Sequence, residues 1–153
     1  MGHGEWMRAG VGAVITGDDG RVLVFERCDV AGSWQFVQGG LDLGEEPLTG
    51  VLREIEEETG IGPAHLRLLG ELPHWITYEF PPELRGGGCR GQTQRWFVFR
   101  FPSDTPIRLP DGDLAEFRDY KWTSMAEAVE LVVDFKRPVY LRLASELDHV
   151  VTG

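Results

Sequence analysis

The chain is short and acidic. Its 153 residues, of which 42% are hydrophobic, suffice for one domain with one sizeable core, so we expect a single domain over residues 1–153. With 15 basic and 25 acidic residues, the net charge of -10 opposes a broad surface for nucleic acid, and we expect no DNA partner. Any phosphate-containing substrate must instead be bound by local basic groups or by a metal ion.

The N-terminal segment and the cysteines indicate a cellular compartment. Residues 1–8 lack the apolar core of a signal peptide, and no run approaches the roughly 18 apolar residues of a membrane span. Cys28 and Cys89 fit neither a paired zinc spacing nor a disulfide scaffold, which favours reduced thiols. We therefore expect a cytoplasmic protein without a membrane partner, while the sequence leaves the oligomeric state open.

Strand and helix signals follow one another along the chain. Valine-rich runs at residues 9–15 and 22–25 flank a turn and predict an antiparallel hairpin. Residues 34–37 read as a short extended segment leading to two glycines, and residues 81–88 as a long loop rich in proline and glycine. Further strands are predicted at residues 66–75, 94–101 and 117–122, and helices at residues 126–133 and 138–147. This mix favours a mixed sheet between helices, an α/β fold.

The segment of residues 39–61 is the most informative part of the chain. Its second half has apolar residues at the three- and four-residue spacing of one helical face: Leu48, Val51, Leu52 and Ile55. Pro47 suits the first turn of this helix, and Gly60 is the expected left-handed stop at its C-terminal end.

Three carboxylates share another face of this predicted helix. At about 100° per residue, Glu54, Glu57 and Glu58 fall on one strip, whereas Glu56 points elsewhere. Like charges at this spacing are mildly unfavourable, and clustered hard oxygen ligands suit Mg²⁺ or Mn²⁺. A solvated acidic face is the alternative for such a run of glutamates.

The spacing of charged residues and glycines extends this pattern. It resembles the box of the Nudix hydrolases at every defining position: Gly39, Glu45, Arg53, Glu54, Glu57, Glu58 and Gly60, with Ile55 and Ile61 at the aliphatic sites. The resemblance implies a Nudix-type αβα sandwich with a mixed central sheet. It also implies a metal-dependent pyrophosphohydrolase, an enzyme that hydrolyses phosphoric anhydride bonds, with Mg²⁺ as cofactor and Mn²⁺ as the alternative.

The resemblance also implies roles for the residues of the box. Glu57 and Glu58 are expected as direct metal ligands, and Glu54 as a ligand or general base. A main-chain carbonyl near Gln38 or Gly39 is expected to complete the metal shell. Arg53 is expected to orient the glutamates, and Glu45 to brace the loop before the helix.

Four segments outside the box narrow the resemblance to one branch of the family. Residues 33–40 (SWQFVQGG), 75–78 (WITY), 91–97 (GQTQRWF) and 134–140 (DFKRPVY) resemble the bacterial RNA pyrophosphohydrolases and the hydrolases of dinucleoside polyphosphates. The substrate-binding residues that this likeness implies are Arg8, Arg27, Gly39, Gly40, Tyr78, Gln94, Phe135 and Lys136, and Glu116 is implied as a further metal ligand or base. Each of these residues also has a purely structural interpretation. The arginines are then solvated surface residues, Phe135 a core residue, Tyr78 a buried tyrosine and Gln94 an ordinary residue of a strand.

Two substrates fit this branch, a dinucleoside polyphosphate and the 5′-triphosphate end of an RNA. The acidic charge and the glycine-rich residues 81–91 favour the small molecule. One alternative function is a nucleotide-binding sensor that keeps the fold without turnover, although a sensor does not need the complete acidic cluster. Another is a hydrolase that removes damaged nucleoside triphosphates, whose pocket would lack the flanking tryptophan and Gly-Gln segments.

Overall fold

One mixed β-sheet runs through the molecule in the computed structural model, which describes residues 5–151 and side chains as far as Leu147. The strands are β1 Trp6–Thr16, β2 Val22–Arg27, β3 Trp34–Gln35, β4 Val37–Gly40, β5 Arg67–Glu71, β6 Ile76–Glu79, β7 Cys89–Arg100 and β8 Phe117–Thr123. The helices are α1 Pro47–Thr59, α2 Met125–Leu131 and α3 Arg137–Val151. The expectation of no signal peptide in residues 1–8 and that of a single domain over residues 1–153 therefore lie partly outside the described residues. No helix within residues 5–151 is long and apolar enough to cross a membrane.

The strand order gives the sheet its mixed character. The main path is β3-β2-β1-β7-β5, with β4 also paired to β1, β6 to β7 and β8 to β2. Within the described residues, β1 and β7 form the one parallel pair, in register from Met7 opposite Gly91 to Thr16 opposite Arg100. The register shifts between Trp6, which lies opposite Cys89, and Met7. The predicted hairpin of β1 and β2 is confirmed, with Thr16 opposite Val22.

Helices cover both faces of the sheet, as the resemblance implied. Because side chains alternate along a strand, Val11, Ala13 and Ile15 of β1 join one core with Val51 and Ile55 of α1. The opposite face of the sheet contacts α2 and α3. Its core contains Val14, Val24, Phe36, Trp96, Ala128, Val129, Val139, Tyr140 and Leu143. The prediction of an αβα sandwich is confirmed.

The region around β6 and β7 differs from the sequence prediction. The strand expected over residues 66–75 ends at Glu71, and a separate strand β6 follows. Strand β7 begins at Cys89, five residues before the expected start, because the residues before Gln94 also pair with β1 and β6. At Gly91 a Cβ atom would lie only 2.7 Å from the Glu79 Cα and would collide with the Tyr78 carbonyl. A glycine in this strand therefore permits close pairing with β6.

Helix α1 begins and ends where the sequence predicted. Pro47 is its first residue, and Gly60 follows its last turn with φ of 79°. The Gly60 N–H donates to the Glu56 carbonyl at 3.0 Å, which satisfies one of the free acceptors at the helix end.

Candidate active site

Arg53 ties helix α1 to the loop before it. Its Nε and Nη2 donate to the two carboxylate oxygens of Glu45 at 2.8 and 2.9 Å, and Nη2 also donates to the Gly40 carbonyl at 3.0 Å. Glu45 Oε1 accepts a further bond from the Asp42 N–H at 3.0 Å. These bonds, chiefly the two from Arg53, lower the pKa of Glu45 to about 2. The geometry agrees with the bracing role that the resemblance implied for Glu45.

The same guanidinium also orients two glutamates of α1. Arg53 Nη1 donates to Glu54 Oε1 at 2.9 Å and to Glu57 Oε2 at 3.2 Å. The Glu54 side chain is 11% exposed, whereas the Glu57 side chain is 59% exposed. Arg53 therefore holds one carboxylate at the buried side of the helix and one at its solvent side.

The two glycines of β4 provide space for charged side chains. A Cβ atom on Gly39 would collide with the carboxylate of Glu54, and one on Gly40 would collide with the guanidinium of Arg8. Only glycine lets these opposite charges approach the backbone of β4 so closely. The two side chains thereby reach one cavity from different elements.

Glu58 is the most perturbed acid of the site. Burial raises the pKa of Glu58 to about 10, assisted by a hydrogen bond with Glu54 and by the charges of Glu54, Glu116 and Glu57. Its Oε2 is buried and has no hydrogen-bond partner. A buried carboxylate oxygen without a partner, next to other carboxylates, is a position that a cation stabilises.

Acidic and basic groups meet in one cavity of about 460 Å³. The carboxylates that line it are Glu54, Glu58 and Glu116, and the cations are Arg8, Arg27 and Lys136. Lys136 is buried, with only 6% of the residue exposed. Burial, together with the charge of Arg27, lowers the pKa of Lys136 to about 8. Arg27 also donates to both carboxylate oxygens of Asp29, at 2.9 and 2.5 Å.

An aromatic wall closes one side of this cavity. The rings of Tyr78, Phe80 and Phe135 have centroid separations of 5.7, 5.9 and 6.1 Å. Gln38 Nε2 donates to the Tyr78 hydroxyl at 3.0 Å and fixes the phenol ring, and burial raises the pKa of Tyr78. The cavity thus joins charged groups suited to phosphates with rings suited to a nucleobase.

The structure brings together most of the residues that the sequence singled out. Those lining the cavity are Arg8, Arg27, Gly39, Gly40, Glu54, Glu58, Tyr78, Glu116, Phe135 and Lys136. Arg53 and Glu57 do not line the cavity. Arg53 contacts the lining residue Glu54, and Glu57 contacts Arg53.

The expectation that Gln94 contacts substrate is corrected by its position. Gln94 is 0% exposed, and its side chain donates to Gln92 Oε1 at 3.0 Å and accepts from Trp96 Nε1 at 3.1 Å. Both ends of the amide are used inside the core. Gln92, two residues earlier on the same face of β7, lines the cavity instead.

Several cavity residues were not selected from the sequence: Gln35, Phe80, Leu84 and Gln92. Gln38, which also lines the cavity, was expected to contribute only through a main-chain carbonyl. The period of two along a strand was the available signal for Gln92, since Gln94 had already been selected on the same strand. Phe80 follows Tyr78 by two residues but lies just after the end of β6. The glutamines of β3 and β4 carried no comparable signal.

The residues present fit a divalent cation, although their carboxylates are not drawn together around one point. Among the described side chains, no three histidine, cysteine or acidic residues already form a metal-holding group. However, Glu54, Glu58 and Glu116 line one cavity, and Glu58 Oε2 lacks any other partner there. Hard oxygen donors of this kind are those that Mg²⁺ and Mn²⁺ prefer.

Comparisons with known proteins identify the family of the chain. The NUDIX domain family matches residues 6–143. The chain is 44% identical to an RNA pyrophosphohydrolase of Acidiphilium cryptum, an alignment covering 91% of this chain and 88% of that protein. It is 40% identical to the chloroplastic Nudix hydrolase 26 of Arabidopsis thaliana, covering 92% and 69% of the two chains.

Solved structures show the same fold. The dihydroneopterin triphosphate pyrophosphohydrolase of E. coli superimposes with a TM-score of 0.74 at 25% identity, covering 97% of this chain and 100% of that one. A C. elegans Ap4A hydrolase complex has a TM-score of 0.70 at 18% identity, covering 94% and 98% of the two chains, and supports the fold alone.

The chain belongs to the Nudix family. The predicted resemblance to the RNA pyrophosphohydrolase branch is confirmed by the relatives at 44% and 43% identity. The predicted class of enzyme, a Nudix hydrolase that acts on phosphoric anhydride bonds, is also confirmed. Members of this family generally depend on a divalent metal.

Proposed function

We propose that this chain is a Mg²⁺-dependent pyrophosphohydrolase whose substrate is the 5′-triphosphate end of an RNA. The observation that carries the proposed chemistry is the meeting of three carboxylates and three cations in one cavity beside an aromatic wall. The choice of an RNA end rests on the RNA pyrophosphohydrolase relatives at 44% and 43% identity. A nucleoside polyphosphate presents the matching chemistry, because its phosphates are anionic and its base is a flat ring.

The cations and the aromatic wall of the cavity bind different parts of the substrate. Arg8, Arg27 and Lys136 bind phosphate oxygens and offset their charge, which the overall charge of -10 would otherwise oppose. Phe135 and Tyr78 contact the base. The phosphates are thereby oriented with one phosphorus atom facing the carboxylates.

The acidic half supplies the hydrolytic chemistry. Glu54, Glu58 and Glu116 would hold Mg²⁺, which when bound neutralises phosphate charge and activates water. Water attacks phosphorus as the bridging P–O bond breaks, and a carboxylate of this set accepts the proton that the water loses. Arg53 acts at a distance from the reacting atoms, since it positions Glu54 and Glu57 through hydrogen bonds.

A dinucleoside polyphosphate is the second candidate substrate. The net charge of -10 favours a small molecule over a long nucleic acid, whereas the RNA pyrophosphohydrolase relatives favour the RNA end. The cytoplasmic location and the single domain over residues 1–153 remain predictions from the sequence.

A substrate panel tests the proposal. Purified protein is incubated with Mg²⁺ or Mn²⁺ and triphosphorylated RNA, diadenosine tetraphosphate or an oxidised nucleoside triphosphate, and phosphate, diphosphate and nucleotide products are quantified. We expect diphosphate or phosphate release from the RNA and little turnover of the oxidised nucleotide. Preference for diadenosine tetraphosphate by orders of magnitude would replace the RNA with the second candidate. Tight nucleotide binding without hydrolysis of any substrate would identify a sensor and contradict the proposal.

A further inference from the structure

A second cavity lies on the other side of the aromatic wall. It has a volume of about 570 Å³ and is lined by residues of β1, β6, β7 and the start of α3. Tyr78 and Phe135 line both this cavity and the cavity that contains the three carboxylates and three cations, hereafter the active-site cavity. A substrate whose phosphates lie in the active-site cavity therefore has a second volume close to its base, and these two rings border both volumes.

An exposed indole ring is held in place within this second cavity. Trp6 is 48% exposed and lines the cavity, so its indole has a free surface there. Its Nε1 donates to the Gly87 carbonyl at 3.0 Å, and its backbone N–H donates to the Gly88 carbonyl at 2.9 Å. Because the ring is already oriented, stacking another flat ring on it costs little conformational entropy.

The charges of this cavity disfavour a phosphate and favour a neutral group with N–H donors. Arg90 Nη1 pairs with Glu5 at 3.0 Å and Arg90 Nη2 pairs with Glu79 at 2.5 Å. One guanidinium between two carboxylates leaves one net negative charge. The partly exposed carboxylates can accept hydrogen bonds from exocyclic amino groups such as those of adenine, guanine and cytosine.

From this geometry we infer that the cavity beside Trp6 binds a second nucleobase of the substrate, stacked on the Trp6 indole. The inference rests on the proposed function, because it names a further part of the same substrate. The second base belongs either to the next nucleotide of an RNA or to the distant nucleoside of a dinucleoside polyphosphate. Both present the same chemistry, a neutral flat ring joined by a linker to the phosphates.

The experiment compares substrates with one base and two bases in the variant Trp6→Ala. The first pair is GTP and a 5′-triphosphorylated guanine–adenine dinucleotide, and the second pair is ATP and diadenosine tetraphosphate. Trp75→Ala is the matched control, because Trp75 is 43% exposed and lines neither cavity. We expect Trp6→Ala to lower kcat/KM at least about fivefold for a two-base substrate and to leave its one-base partner within about twofold.

Two further readouts separate stacking from a general structural effect. Trp6→Phe keeps a flat ring and should recover most of the lost kcat/KM. Titration of the wild-type protein with the two-base substrate in the absence of metal should quench indole emission, and Trp6→Phe should lose that part of the quenching.

The outcomes are distinguishable. A selective loss with one substrate pair supports the inference and identifies the source of the second base. Equal losses with one-base and two-base substrates, or no loss in Trp6→Ala, overturn the inference while wild-type turnover still supports the proposed function. Absence of wild-type turnover on every substrate overturns both.

Discussion

Arg53 shows how one residue serves both the loop and the site. Its guanidinium makes five hydrogen bonds, to Glu45, Gly40, Glu54 and Glu57, so the position of the acidic groups depends on it. A planar group with five N–H donors is suited to this arrangement, whereas lysine could reach only part of it. The carboxylate with no such support is Glu58, whose Oε2 has no partner.

The first prediction concerns Glu58→Gln. The amide keeps the shape of the side chain but removes the charge that would hold Mg²⁺, so we expect turnover to fall at least about a hundredfold without loss of folding. Steady-state kinetics and circular dichroism check the two parts. Glu56→Gln, on an exposed position of the same helix, is the control and should keep turnover within about twofold. Unchanged turnover in Glu58→Gln would remove Glu58 from the mechanism.

Sequence reasoning identified the charged residues of the site but not every orientation. The spacing of the box selected Glu54 and Glu58 correctly as residues of one cavity, because helix geometry fixes which positions share a face. It left open which glutamates Arg53 contacts, since the rotation of a long side chain depends on its partners, and the structure shows that these are Glu54 and Glu57. Likewise, Gln94 and Gln92 share a strand face, and only packing against Trp96 decides which of them is buried.

At the scale of elements, helix α1 depends on the turn that ends it. Gly60 has φ of 79°, in the left-handed region that side chains disfavour. In addition, a Cβ atom at this position would lie 2.6 Å from the Arg108 carbonyl oxygen. Gly60 thus combines a backbone requirement with close packing against the loop before β8.

The second prediction separates these two contributions. Gly60→Ala should lower the free energy of unfolding by more than the roughly 1–2 kcal/mol expected for left-handed strain alone. Gly20→Ala is the matched control, because Gly20 has φ of 83° and a Cβ atom added there would have no atom within 4 Å. Urea denaturation of both variants measures the difference. An equal loss in the two variants would show that the Arg108 contact relaxes at no cost.

The third prediction concerns acid stability of the loop between β4 and α1. The pKa of Glu45 is lowered from 4.5 to about 2 in the folded protein, so the bound carboxylate stabilises the fold at pH values above 4.5. This contribution is lost as the pH falls from 4.5 towards about 2. The difference in unfolding free energy between wild type and Glu45→Gln should therefore shrink across that interval, whereas exposed Glu46→Gln should show little difference at any pH. A difference that stays constant through this interval would contradict the assignment.

Elements with strong local signals were predictable, and those fixed by tertiary pairing were not. Helix α1 followed its apolar period, its proline and its terminal glycine. Strand β7 begins directly after three glycines and includes Gly91, because pairing with β1 and β6 outweighs the low strand propensity of glycine. No local pattern in the sequence reports that pairing.

For the molecule as a whole, the charge distribution limits the size of the substrate. Three cations are gathered in the active-site cavity, whereas the complete chain carries a net charge of -10. Local cations suffice to bind a phosphate chain, but the remaining surface repels a long polyanion. The protein should therefore recognise the end of an RNA and not its length.

The fourth prediction follows from this imbalance. Beyond two nucleotides, lengthening a triphosphorylated RNA to roughly twenty nucleotides should change kcat/KM less than about threefold, because additional phosphates find no extended basic surface. A series of RNAs of increasing length at fixed salt concentration measures this dependence. A steady rise in kcat/KM with length would reveal a binding surface outside the two cavities.

The catalytic role of this protein depends on acidic groups of α1 that hold a cation against the phosphates of a nucleotide. Crystals containing Mn²⁺ and a non-hydrolysable methylene analogue of the substrate test this arrangement through anomalous scattering. We expect an anomalous peak between the analogue and the carboxylates of Glu54 and Glu58. An analogue bound in the active-site cavity with no ion beside these carboxylates would contradict it.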